Sequence, residues 1–491
     1  MAKMKSLKTG LKKTHAAVIS AALLAVMLAA CTNVPNIPDV SDTSSEASGA
    51  DGESQPEAVL SAEEWMETLE ERDYTGQKLV IATAAEGFVV PDDEEESGLI
   101  DAAAEKRNEL IEDKYGVVIE EKKVQSSTLQ SQLASAAASG TQYADAVLTT
   151  AREISSLAAG GGLLNLFSLP YFDMQAGYID SALADDSVIG NTCYAIYGSA
   201  TGVENSVWAV FYNKKLLSDA GYPSPETLVR NGEWTFDKMY EIAKTVAADT
   251  MNKRSPDSSR DIFGYSSYNN DDDWLMALWQ SGAQKALGND TDGHAALCYD
   301  YAASQAVLNT LNDFVNSKAM YPSAKSAVLS AFSEDRIAFL IYRLDFAATL
   351  AENGADWGLL PVPAILDAAG QVSPVDSNVF GLCVPAFLEN SERTGILLNA
   401  FFAASHGHVR QAFVDNYVNY YLGDNDEALM LEHIIDAASV DASVLYADGY
   451  SGIASVTTDI LTDIIKNGGT LQSRVEPLIN TFENFIQNTF R

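Results

Sequence analysis

Residues 206–221, SVWAVFYNKKLLSDAG, decide how the chain is read, because an apolar run passes there without a break into a helix start. Val207, Ala209 and Phe211 alternate with Trp208, Val210 and Tyr212, and both sets are apolar, as in a strand covered on both faces. Asn213 supplies a short polar side chain that caps a helix beginning at Lys214, and Gly221 supplies a left-handed stop after Leu216, Leu217 and Ala220. The stretch predicts a buried strand feeding a helix directly.

Twelve residues on, Glu233-Trp234-Thr235-Phe236-Asp237 places a capping Thr235 ahead of Met239, Ile242, Ala243 and Val246, which share one helical face. YNKxL, a later Gly and then WTxD before an amphipathic helix resemble the family 1 extracellular solute-binding proteins, receptors of ABC importers for sugars and related solutes. Two further stretches are similar to that family: LLNLFSLPYFD at 163–173, and DWGLLPVP at 356–363. The resemblance implies an α/β, two-lobed periplasmic-binding-protein-like fold of type II, each lobe a mostly parallel sheet flanked by helices. The strand before YNK would cross the hinge between lobes. It also implies lobe 1 from residues 74–209 plus about 380–425, and lobe 2 from 210–379 plus about 426–491.

Working outward to the start, Lys3, Lys5, Lys8, Lys12 and Lys13 precede an apolar run over 16–27, then Leu28-Ala29-Ala30-Cys31. This is the pattern of an export signal over residues 1–30. It is similar to a bacterial lipobox, in which the Cys31 thiol receives a diacylglyceryl group, and two acyl chains hold a protein stably to a membrane. An ordinary secretory signal with an incidental Cys31 is the alternative. Residues 31–73 are an acidic tether and lead-in, with Ser, Asp, Glu, Pro and Gly dominating as far as about Leu60. No later stretch is long and apolar enough for a membrane span.

The chain carries 31 basic and 68 acidic residues, a net charge of -37. Removing the five leader lysines leaves about -42. Such a field disfavours nucleic acid as a partner and favours neutral or cationic solutes over polyanions. Cys193, Cys298 and Cys383 sit among apolar neighbours with no metal-ligand spacing, so free buried thiols are expected, with one disulfide and a spare thiol as the alternative. No cofactor and no metal site are expected.

In the first lobe, residues 78–84 (KLVIATA), 117–119 and 144–148 read as strands separated by helical stretches, the βαβ pattern of a parallel sheet. Ligands of open sheets sit at the carboxyl ends of parallel strands. Glu86, Thr149, Thr150 and Arg152 follow such ends and are candidate contacts, with a solvated loop or a helix cap as the plainer roles for Glu86 and Arg152.

In the second lobe, 261–265 reads as a strand running into the polar stretch 266–273, SSYNNDDD, and then an apolar helix over 274–280. Aromatic faces stack on sugar C–H surfaces while carboxylates bond hydroxyls, so Tyr268, Asp271 and Trp274 are candidates. Trp274 with Leu278 and Leu275 with Trp279 also form i,i+4 stripes of a buried helix. The acidic run suits a helix cap first, with calcium binding as the alternative. The family resemblance places a second-lobe ligand loop at Tyr342, Arg343 and Asp345, where an Arg-Asp pair holding the loop is the alternative. It places Tyr446 and Tyr450 at the cleft rim.

No GxSxG, HExxH or P-loop is present, and there are only five histidines, so an enzyme is not expected. The reading is a monomeric lipoprotein on the extracellular face of the membrane. It would deliver a small solute, a sugar or oligosaccharide first, to the permease subunits of an ABC importer. A surface sensing or adhesion lipoprotein of the same fold, or a receptor for a peptide, polyamine or other non-sugar solute, is the alternative.

Overall fold

The computed structural model describes residues 60–490, leaving out 85–87, 92–97, 269–272, 366–371, 423–424 and 447–452. Two sheets organise these residues. The first contains β1 (Lys78–Thr83), β2 (Val118–Lys123), β3 (Ala146–Thr150), β4 (Ala195–Ile196) and β12 (Phe380–Cys383), in the order β2-β1-β3-β12-β4. β1 runs parallel to β2 and β3, the result of helical crossovers Leu99–Tyr115 and Ser126–Ser139. β12 returns antiparallel to both β3 and β4.

The second sheet contains β5 (Trp208–Asn213), β6 (Phe263–Ser267), β9 (Ile337–Arg343) and β10 (Trp357–Pro361), in the order β10-β5-β9-β6. Its pairing is mixed: β5 is antiparallel to β9 and β10, and β6 is parallel to β9. A mostly parallel sheet is therefore correct for β2-β1-β3 and not here. The chain enters this sheet through β5, between two strands that run the other way. Two short pairs, β7 (Leu287–Asn289) with β8 (Ala295–Leu297) and β11 (Ser373–Pro374) with β13 (Ala438–Ser439), lie outside both sheets.

All six residues of β5 are buried. Tyr212 lies so close over Gly358 that a Cβ there would sit 2.4 Å from its ring, which explains the glycine in β10. Asn213 caps helix Lys214–Asp219 by accepting from Leu216 N at 2.9 Å, and Gly221 stops that segment at φ +93°. Thr235 caps Phe236–Val246 in the same way, from Lys238 N at 3.2 Å. Trp234 is core: its Nε1 donates to Pro361 O at 2.8 Å and its ring meets Phe339 at 5.9 Å.

Helix Ser391–Tyr420 is far longer than the amphipathic segment its first half suggests, and Thr394–Ser405 is buried on every side. Its start is pinned by Asp145, whose carboxylate takes Arg393 and the Thr394 hydroxyl while also accepting from Val80 N. Gly395 meets Pro170 so closely that an added Cβ would lie 1.9 Å from its carbonyl oxygen. In the last helix, Ile479–Thr489, Phe482, Phe485 and Ile486 form the buried stripe.

Cys193 and Cys383 are buried free thiols and Cys298 is half-buried; burial pushes the Cys193 thiol up to about 12. Among the described residues no helix is long and apolar enough to cross a membrane.

Candidate functional site

Three segments meet where the chain passes between the sheets. Val207 forms an antiparallel bridge with Val375, Asp376 N donates to Ser206 O at 2.8 Å, and Leu344 N donates to Val207 O at 2.9 Å. Beside this junction lies a cavity of about 180 Å³. Both sheets supply its walls.

From the first sheet comes Arg152, in the first turn of helix Ala151–Ala159, which starts directly at the end of β3 and is capped by Thr150. Its Nη2 donates to Ser377 Oγ at 3.3 Å. From the second comes Trp208, the first residue of β5. Helix Asp273–Ser281 presents Asp273, Met276, Ala277 and Gln280, the i, i+3, i+4, i+7 positions of one face. Helix Ile453–Asn467 adds Ser455, Thr458 and Asp459 from its first turns. The wall thus combines a tryptophan that is itself only 2 % exposed with carboxylates, an amide, hydroxyls and one guanidinium, polar groups that can bond a hydroxylated ring.

Asp376 stands in the turn between β11 and β12, and behind it lies Arg343 at the end of β9. Arg343 Nη1 reaches Asp376 Oδ1 at 3.1 Å, and Nη2 reaches Asp345 Oδ2 at 3.2 Å and the Tyr342 hydroxyl at 3.3 Å. Burial opposes the Arg343 charge, but Asp376 and Asp345 more than offset it, holding the guanidinium above its ordinary value. Tyr342 meets the Trp208 ring edge-on at 5.6 Å, so it backs the aromatic wall.

Of the candidates read from sequence, Arg152 lines the cavity, and Tyr342 and Arg343 stand one layer behind it. Asp345 is Arg343's half-exposed partner. Thr149 is fully buried in β3 with its hydroxyl on the Glu153 carboxylate, and Tyr268 packs against Phe346 at 4.3 Å and Tyr342 at 5.3 Å. Trp274 is 4 % exposed and tilts against Phe314, on the core side of its helix rather than the cavity side. Tyr446 is buried, its hydroxyl donating to Ser187 O at 3.2 Å. Glu86, Asp271, Tyr450 and Cys31 lie outside the described residues.

Trp208, Asp376 and Gln280 were not singled out by sequence. Gln280 had a signal, as the polar residue closing an apolar helix seven positions after Asp273. Asp376 had one too, in the polar turn Asp376-Ser377-Asn378 just before the apolar run that forms β12. Among the described residues no group of three or more His, Cys, Asp or Glu is placed to hold a metal ion.

Two mixed sheets with a cavity at their crossing define the two-lobed fold of periplasmic binding proteins. Solved structures bear that likeness. The cyclic α-maltosyl-1,6-maltose binding protein from Arthrobacter globiformis matches with a TM-score of 0.56 at 15% identity, over 84% of this chain and 99% of its own. The galacto-N-biose/lacto-N-biose I-binding protein of the ABC transporter from Bifidobacterium longum, in complex with lacto-N-biose, matches with 0.52 at 13%, over 85% and 99%. UgpB from Mycobacterium tuberculosis, in complex with glycerophosphocholine, matches with 0.53 at 16%, over 84% and 100%. At these identities the likeness is one of fold. No curated protein matches the chain by sequence. The chain belongs to the bacterial extracellular solute-binding protein family, whose sequence model matches residues 93–392.

Proposed function

We propose that this protein is a receptor that holds a small hydroxylated solute, a sugar or short oligosaccharide, between its lobes and hands it to the permease of an ABC importer. The lobes are residues 74 to about 207 with about 380–425, and about 208–379 with about 426–491, the expected boundary after residue 209 moving to the start of β5 because that whole strand pairs within the second sheet. The observation that carries the reading is the cavity beside the crossing segments, with Arg152 on one wall and Trp208, Gln280 and Asp376 on the others. A solute touching both halves favours the closed arrangement by the difference between its contacts in the closed and open forms. No bond of the solute is made or broken.

Cys31 is the lipid attachment point, the acidic stretch after it the tether, and the outer face of the cell membrane the site of action. Cys31→Ser should move the protein from the detergent phase to the aqueous phase on Triton X-114 partition; unchanged partition removes the anchor. For the receptor role, a thermal-shift panel of D-glucose, D-galactose, maltose, maltotetraose and lacto-N-biose is the first test. A stabilising sugar should also shrink the radius of gyration in solution scattering. Stabilisation without compaction would argue against closure.

A further inference from the structure

Two polar side chains in the cavity wall have bonding capacity to spare, Gln280 with a sealed donor and Asp376 with a second carboxylate oxygen. Asp376 is 3 % exposed, and all of its carboxylate bonding falls on one oxygen. Oδ1 accepts from Arg343 Nη1 at 3.1 Å, from Asn378 N at 2.9 Å and from Asn378 Nδ2 at 2.8 Å. Among the described residues nothing donates to Oδ2. Gln280 is 7 % exposed, and its Nε2 is sealed from water with no hydrogen-bond partner among the described residues.

Buried donors and acceptors are nearly always paired, because the desolvation that burial imposes is otherwise uncompensated. Gln280 Nε2, in the last turn of helix Asp273–Ser281, is such an uncompensated donor, and Asp376 Oδ2, in the turn before β12, borders the same cavity. One is an acceptor and the other a donor. The terminal torsion of a glutamine is soft, so the Gln280 amide can turn its N–H toward a ligand atom at little cost.

We propose that Asp376 and Gln280 are the specificity-determining pair of this site, Asp376 Oδ2 taking a hydroxyl hydrogen of the solute and Gln280 Nε2 giving a hydrogen to a solute oxygen. The proposal rests on the sugar reading above and sharpens it. Arg343 already balances the Asp376 charge, so the pair selects a neutral hydroxyl rather than an ammonium group. A site built to bond a hydroxyl rejects the analogue lacking it far more strongly than a purely apolar pocket would.

The test titrates wild type, Gln280→Met and Asp376→Asn with the same five sugars by calorimetry, then with monodeoxy forms of whichever binds. Methionine keeps the length of Gln280 and removes the unpaired donor. Gln280→Met should therefore lose affinity on the order of 10-fold while the ligand-free protein melts no lower than wild type. Asp376→Asn should lose on the order of 100-fold. One deoxy position should weaken wild type but cost Gln280→Met nothing further. Wild-type affinity in Gln280→Met, or an equal additional loss at every deoxy position, overturns the assignment while leaving the sugar reading intact. If none of the five binds wild type, both fall together.

Discussion

Replacing Arg343 by methionine tests the junction between the lobes. Methionine fills most of the space of the aliphatic stem and removes the guanidinium alone. Asp376 is then left as a carboxylate whose side chain is 1% exposed, without its cation. Breaking a buried pair by removing one partner costs about 3–5 kcal/mol. Two donors from Asn378 still reach Oδ1, which lowers the expected loss, and the half-exposed Asp345 contact adds at most ~1 kcal/mol. The expected destabilisation is about 2–4 kcal/mol, read from urea denaturation with far-UV circular dichroism. Adding Asp376→Asn removes the stranded charge, so the double variant should return to within ~1 kcal/mol of wild type. A single substitution costing under ~0.5 kcal/mol, or two losses that simply add, would refute the reasoning.

Trp208→Phe keeps an aromatic ring against Tyr342 but narrows the cavity platform, and should weaken sugar binding by about 0.5–1.5 kcal/mol. Calorimetry checks this, and unchanged affinity would remove Trp208 from the site. Gly395→Ala forces a methyl against the Pro170 carbonyl, a backbone atom with little room to yield, and should cost at least ~1–3 kcal/mol in the same denaturation assay. The His408 pKa is lowered, first by burial and then by Lys106, with Glu63 opposing. The folded state therefore prefers neutral His408, giving stability that is full above the ordinary value of 6.5 and lost as pH falls through the depressed one. Melting temperature should drop less between about pH 7.5 and about pH 5 in His408→Gln than in wild type; parallel curves would contradict the shift.

Local signals carried much of the fold. Asn213, Thr235 and Gly221 do what their side chains or backbone freedom suggest, because a cap or a left-handed turn is decided within a few residues. Partners far apart in sequence were less legible. Nothing local in 380–383 states that β12 runs antiparallel between β3 and β4, or that β5 sits between two opposed strands.

The site was harder to read than the fold, for a related reason. Residues Trp274–Ser281 are all buried, so hydrophobicity could not say which face meets the core and which meets the cavity. Trp274 drew attention by its size, whereas the cavity face is marked by the smaller contrast of Asp273 and Gln280 at its two ends. Tyr342 and Arg343 are near the site because they brace Trp208 and Asp376, a relation that exists only once β9, β5 and the turn before β12 have come together.

The most direct measurement is a crystal structure with whichever panel sugar stabilises the protein. The sugar should occupy the cavity beside the crossing segments, in contact with Trp208 and with a hydroxyl within hydrogen-bond distance of Asp376. A sugar bound at any other surface, with this cavity holding only water, would contradict the account.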